Sequence, residues 1–207
     1  MPELIAYHEA GHALMAVLLG GKVRQVTIEP DDDDGPARQG DTQVHWRRSG
    51  VSDKEFAKMA VQVSLAGPVA EMIYSGDPYH PGLVAEWAGD WRDAWTVAEP
   101  FYPDERQRLE YLEQVSIQLY HGLKEDELWA ALAALADNLL AHETLDAEQI
   151  AMLVRGDALL VTPEASPDSR EQVEAARERN KARDGGKRAV RVGDGLPLLP
   201  EPGPRPA

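Results

Sequence analysis

Apolar residues at the start of the chain recur at helical spacing: Leu4, Ile5, Met15 and Leu19 fall in step with His8 and His12, and Gly20-Gly21 supplies a natural stop. The period then changes. Val26 and Ile28 alternate with polar neighbours, which predicts a short strand over Val23 to Glu29, paired with a second over Thr42 to Trp46. Ser52 and Glu55 make a capping box, flanked by Val51 and Phe56 as a hydrophobic staple. From there Met59, Ala60, Val63, Gly67, Ala70 and Ile73 continue a helical stripe to about Tyr74, with a kink expected at Pro68.

A Gly/Pro-rich loop, Ser75 to Ala88, leads to a third helix that starts near Gly89 or Asp90 and ends by Pro100. Two more follow, Asp104 to His121 and about Glu125 to His142, the latter striped by Leu128, Leu132, Leu135 and Leu139. A last helix begins at Asp146, with Gln149 completing a capping box, Leu145 and Ile150 as its staple, and Gly156 as its end. Beyond about Pro163 no apolar stripe remains. Residues 164–207 read as a disordered, charged and Pro-rich tail, which leaves 1–163 as one mainly α (α+β) domain with a small β-hairpin or sheet.

Composition narrows the class. The net charge of −15 sits almost wholly in residues 1–163, and such a surface repels nucleic acid. There is no Cys, so disulfides and thiolate metal sites are excluded and a cytoplasmic location is expected. Neither a signal peptide nor an apolar run long enough to span a bilayer is apparent, so no membrane insertion is expected and an intramembrane protease is set aside. The run Asp31-Asp32-Asp33-Asp34 before Gly35-Pro36 reads as an exposed turn rather than a cation site.

The chemistry lies in the first helix. His8-Glu9-Ala10-Gly11-His12 is an HExxH motif, which on a helix puts two imidazoles one turn apart on one face, with a carboxylate about 100° round that can take a proton from an activated water. This is the donor pattern of a zinc hydrolase. Gly11 costs about 1 kcal/mol of helix propensity, so its missing side chain should serve a close approach by another segment. The small Ala66-Gly67 pair allows tight packing at its own place in the second helix. Catalytic zinc usually takes three protein ligands. Met15 and Leu18 stand where a metzincin has Gly and His, so the third ligand must come from farther along. His45, His121 and His142 read as surface residues, and His80 as only weakly suggestive. Trp91 and Trp95 suit core packing better than a cleft wall or an oligomer interface.

Ordered motifs along the chain carry a resemblance. Ala6-Tyr7-His8-Glu9-Ala10-Gly11-His12-Ala13, Val26-Thr27-Ile28, Leu65-Ala66-Gly67-Pro68-Val69-Ala70-Glu71, Gly89-Asp90-Trp91-Arg92-Asp93-Ala94 and the closing segment Leu135 to Ile150 together resemble the peptidase domain of the FtsH family of ATP-dependent zinc proteases, over roughly residues 4–155. The resemblance implies a zincin-like helical fold and hydrolysis of polypeptides, with zinc held by His8, His12 and Asp90 and Glu9 as the general base. Asp90 would open a helix, where the dipole favours a carboxylate. Glu71, Glu86, Asp77 and Asp93 are its rivals as third ligand. Glu71 would orient a ligand histidine from behind. Pro68 stands where the family commonly has Arg, which puts the local helix geometry there in question. The strand Val23 to Glu29 would pair with substrate backbone.

No Gly-x-x-x-x-Gly-Lys-Ser/Thr loop occurs, so this chain cannot itself power unfolding. Cleavage of already unfolded polypeptides, delivery by a separate ATPase partner, a place as the peptidase fragment of a longer protein, and oligomer formation are the arrangements it leaves open. A regulatory peptidase with one protein target and a non-catalytic zinc-bound peptide adaptor are the alternative functions.

Overall fold

A helix whose apolar residues run round most of its circumference has to sit inside a fold rather than on it. The first helix does so: α1 spans Pro2–Leu18, and Ala6, Tyr7, Ala10, Ala13, Leu14 and Ala16 are all buried. The computed structural model describes residues 2–30, 40–76 and 80–155. Around α1 are gathered β1 (Lys22–Thr27), β2 (Asp41–His45), α2 (Asp53–Ser75), α3 (Ala88–Ala98), α4 (Glu105–Leu123), α5 (Asp126–His142), β3 (Thr144–Asp146) and α6 (Ala147–Arg155). Two short 3-10 turns, Pro81–Leu83 and Ala85–Trp87, precede α3. One hydrophobic cluster runs from Ala6 to Leu153, so every helix contributes to the same interior.

The capping boxes expected from sequence at the starts of α2 and α6 are present, and α4 has a side-chain cap as well. Ser52 and Glu55 exchange both capping-box hydrogen bonds at the start of α2, and Gly76, at φ 77°, closes it in the left-handed conformation with its N–H on the Met72 carbonyl. Asp104 caps α4 through the Gln107 N–H at 2.9 Å. Asp146 and Gln149 exchange bonds of 2.9 and 3.0 Å at the start of α6. α2 runs unbroken through Pro68, whose ring removes the N–H that would have met the Ser64 carbonyl. Phe56 meets Trp46 edge-on and carries the Arg48 guanidinium over its face at 4.2 Å.

The glycine in α1 is explained by the α1–α2 crossing. A Cβ added to Gly11 would lie 2.6 Å from the Ala66 carbonyl oxygen and 2.8 Å from the Ala70 Cβ, so the two helices touch backbone to side chain there. This close approach brings the far half of α2 against the HEAGH segment.

The small sheet expected from sequence is present, and it carries a third strand beside the two foreseen. Its order is β2-β1-β3, all antiparallel, with β3 pairing Thr144–Asp146 to Gln25–Thr27. A three-residue strand carries no period of its own, and its residues read equally well as a helix staple and cap. Leu145 is fully buried and Asp146 both pairs with Gln25 and caps α6, so one segment does both jobs. The pairing also corrects the expectation for substrate: β1 is the central strand, with β2 on one side and β3 on the other along Gln25–Thr27, and it has no free edge there to offer.

Among the described residues no helix is long and apolar enough to cross a membrane. The tail 164–207, the Asp31–Asp34 run, Asp77 and Gly156 lie outside the described residues.

Candidate metal centre

The crossing at Gly11 sets the site. Gly67, one residue beyond the contact, faces the His12 ring so closely that a Cβ there would overlap the imidazole. In that slot His12 Nδ1 lies 2.7 Å from the Val63 carbonyl oxygen. A carbonyl only accepts, so Nδ1 carries a proton there and Nε2 is turned the other way. His8 is set in the same fashion: its Nδ1 donates to Glu71 Oε2 at 3.1 Å, which leaves Nε2 facing inward.

The two inward nitrogens are 3.1 Å apart. Asp90, in the first turn of α3, brings its carboxylate to them, Oδ2 at 3.1 Å from His8 Nε2 and Oδ1 at 3.5 Å from His12 Nε2. The ligand atoms of His8, His12 and Asp90 all lie within 4.8 Å of one another, the one such set of three among the described residues. Two lone pairs and an anion converging in a largely buried place repel unless a cation joins them. The donor set, two imidazoles and a carboxylate, fits zinc.

In the metal-free protein a proton plays part of that role. Burial works against the His8 cation, but hydrogen bonds to the Asp90 and Glu71 carboxylates outweigh it and its pKa is pushed up to about 10. Burial likewise works against the Asp90 anion, and the His8 hydrogen bond with the charges of His12 and His8 overcomes it, so this carboxyl is held below its usual range. A metal at these atoms must displace that proton.

Of the sequence-level rivals for the third position, Glu71 turns its Oε2 to the back of His8 and accepts a second bond there, from Trp87 Nε1 at 2.7 Å. Glu86 and Asp93 are exposed. Trp87 was not singled out from sequence; an indole three residues before an aspartate carries no pattern that distinguishes it from a core residue.

Glu9 is nearly buried beside the ligands, 8% exposed. Its Oε2 accepts from the Thr42 hydroxyl at 2.7 Å, and Gly40 packs on it so tightly that a Cβ would stand 2.7 Å from both Cγ and Oε1. Thr42 was also missed, since nothing in the strand pattern of Asp41–His45 says which residue faces the helix. His45, His121 and His142 are exposed as expected. His80 bonds Glu113 at 3.2 Å and accepts from the Gly82 N–H at 3.1 Å, fastening the turn before α3. Trp91 packs under Gly82, Trp95 lies beneath the Arg108 guanidinium at 4.7 Å, and both rest on the core.

A protein-family model described as Peptidase M50B-like matches residues 4–73. The matched segment takes in α1, β1, β2 and nearly all of α2, and with them His8, Glu9, His12 and Glu71; it stops before Asp90. The match supports a metallopeptidase, of a kind typically zinc-dependent. M50 is a site-2 protease family, so the match does not select the FtsH family. No curated protein matches the chain.

Proposed function

We propose that this chain is a zinc-dependent metalloendopeptidase that hydrolyses peptide bonds of unfolded or partner polypeptides. The observation that carries the reading is the convergence of His8 Nε2, His12 Nε2 and the Asp90 carboxylate, with both imidazole N–H groups spent outward on Glu71 and Val63. In this reading His8, His12 and Asp90 hold the metal, which when bound polarises the scissile carbonyl and lowers the pKa of water towards about 7. Glu9, placed by Thr42 and Gly40, takes the proton from that water and returns it to the leaving amine nitrogen. Glu71 keeps His8 in the tautomer that presents Nε2.

With β1 enclosed in the sheet, the extended substrate is assigned to β2, which holds Glu9 through Thr42 and among the described residues pairs only with β1. The FtsH resemblance still bears on the residues beyond the matched family segment, because Asp90 stands in the first turn of its helix beside the two histidines, as that resemblance implies. Delivery by a separate ATPase partner, a cytoplasmic setting and a single domain over 1–163 belong to the same proposal.

The test combines metal analysis with turnover of an unfolded protein by wild type and Glu9→Gln. Near-stoichiometric zinc in both and hydrolysis only by wild type is the expected result. Equal turnover would remove Glu9 from the role of base, and full zinc without turnover in wild type would turn the reading to a peptide-binding adaptor.

A further inference from the structure

We propose that Trp87 is a positioning residue for the metal site, acting through Glu71 on His8 and through its own place in the chain on Asp90; the inference rests on the zinc-site reading above. Trp87 is 4% exposed, and its indole N–H meets Glu71 Oε2 at 2.7 Å, a short bond to an anionic acceptor. That oxygen is also the one His8 Nδ1 approaches at 3.1 Å. Three elements are therefore joined at one atom: α1 through His8, α2 through Glu71, and the start of α3 through Trp87.

The position of Trp87 sharpens the argument. It occupies the N-cap of α3, where Ser, Thr, Asp or Asn would satisfy a free N–H, and it makes no side-chain cap bond. An indole there does nothing for the helix end. What it does is tie the end down: the 3-10 turn Ala85–Trp87 feeds into α3, and Asp90 follows three residues later. Fixing the indole on Glu71 fixes where α3 begins and so where the Asp90 carboxylate stands relative to the two imidazoles. The same bond uses one lone pair of Glu71 Oε2 and leaves the carboxylate oriented to accept from His8 Nδ1. One hydrogen bond thus sets two of the three ligands.

Trp87→Phe in the full chain keeps an aromatic ring and removes the N–H. Zinc affinity, read by competition with a chromophoric chelator, should weaken at least about tenfold, the usual effect of losing a group that holds a metal ligand. The melting temperature of the metal-free protein should stay close to wild type. Glu71→Gln should weaken zinc binding by itself, and adding it to Trp87→Phe should cost less than it does alone, since both act at one oxygen. Unchanged zinc affinity in Trp87→Phe overturns the inference, as does a loss of affinity matched by a large fall in the melting temperature of the metal-free protein. Should Trp87→Phe fail to fold, the indole region of a 15N–1H spectrum of the wild-type chain, which has five Trp, gives a second reading: one indole resonance should move on Glu71→Gln and on zinc loading, and none moving overturns it. A wild-type chain that takes up no zinc removes the zinc-site reading itself, whereas tight zinc binding by wild type and Trp87→Phe alike removes only the role of Trp87.

Discussion

Gly67→Ala adds a single methyl group at the point where α2 passes the His12 ring. The new Cβ would overlap Nε2 and lie 2.6 Å from Cε1 and 2.8 Å from Cδ2, closer than any packed carbon tolerates. Neither side has freedom to give way: the ring is tied by the 2.7 Å bond from Nδ1 to the Val63 carbonyl, and α2 is pressed on α1 at Gly11. Swinging the imidazole out loses a hydrogen bond of about 1 kcal/mol. Residual crowding costs about 1–3 kcal/mol, and replacing glycine in a helix returns about 1 kcal/mol. The metal-free protein should therefore lose about 1–3 kcal/mol, read by urea unfolding. Zinc affinity should fall about tenfold or more, because in the proposed site the displaced ring is itself a ligand. Gly122→Ala in α4 is the control, since nothing lies within 4 Å of its added Cβ. There the same change should stabilise by up to about 1 kcal/mol and leave zinc binding alone. A Gly67→Ala protein as stable as wild type that binds zinc as tightly would refute the slot described for His12.

Two other predictions follow from the same atoms. His8, raised from an ordinary 6.5 to about 10, stabilises the metal-free fold in full below pH 6.5 and loses that contribution as pH rises through about 10. Asp90, held below its ordinary 3.8, contributes above that value and loses its contribution as pH falls through its lowered pKa. The melting temperature of chelator-treated protein should accordingly fall between pH 6.5 and 10, and zinc uptake at neutral pH should release a proton, visible as a binding heat that depends on the buffer; a flat melting profile with no proton release would contradict it. Thr42→Val removes the hydroxyl that holds Glu9 and should lower kcat about tenfold with zinc content unchanged, while Thr42→Ser restores it. Equal kcat in the two variants would show that the hydroxyl is idle.

The helices were legible because their ends are chemical. Ser52 with Glu55, Asp104, and Asp146 with Gln149 mark starts that the backbone then uses. Gly11 was legible as a contact because a glycine in an apolar helix interior needs a reason, and Ala66 is that reason. HEAGH showed through helical periodicity alone that its two imidazoles share one face. Groups that meet across elements left no local trace. Trp87 and Thr42 each act through one hydrogen bond to a carboxylate on another segment, and no spacing rule connects residue 87 with 71 or 42 with 9. β3 escaped for a different reason: its three residues are shorter than the period by which a strand is recognised, and its identity comes from the partner strand.

That partner is distant. Thr27 and Thr144 share a hydrogen bond at a sequence separation of 117, so the strand beside β2 is held on its second side only after that much more of the chain has been made. During synthesis α1 and α2 emerge with both histidines and Glu9 before Asp90 does, and the third strand emerges later still. Contacts of such long range form late and slowly. Closure of the sheet on β3 is therefore the expected slow step of folding, after α1 and α2 have met at Gly11.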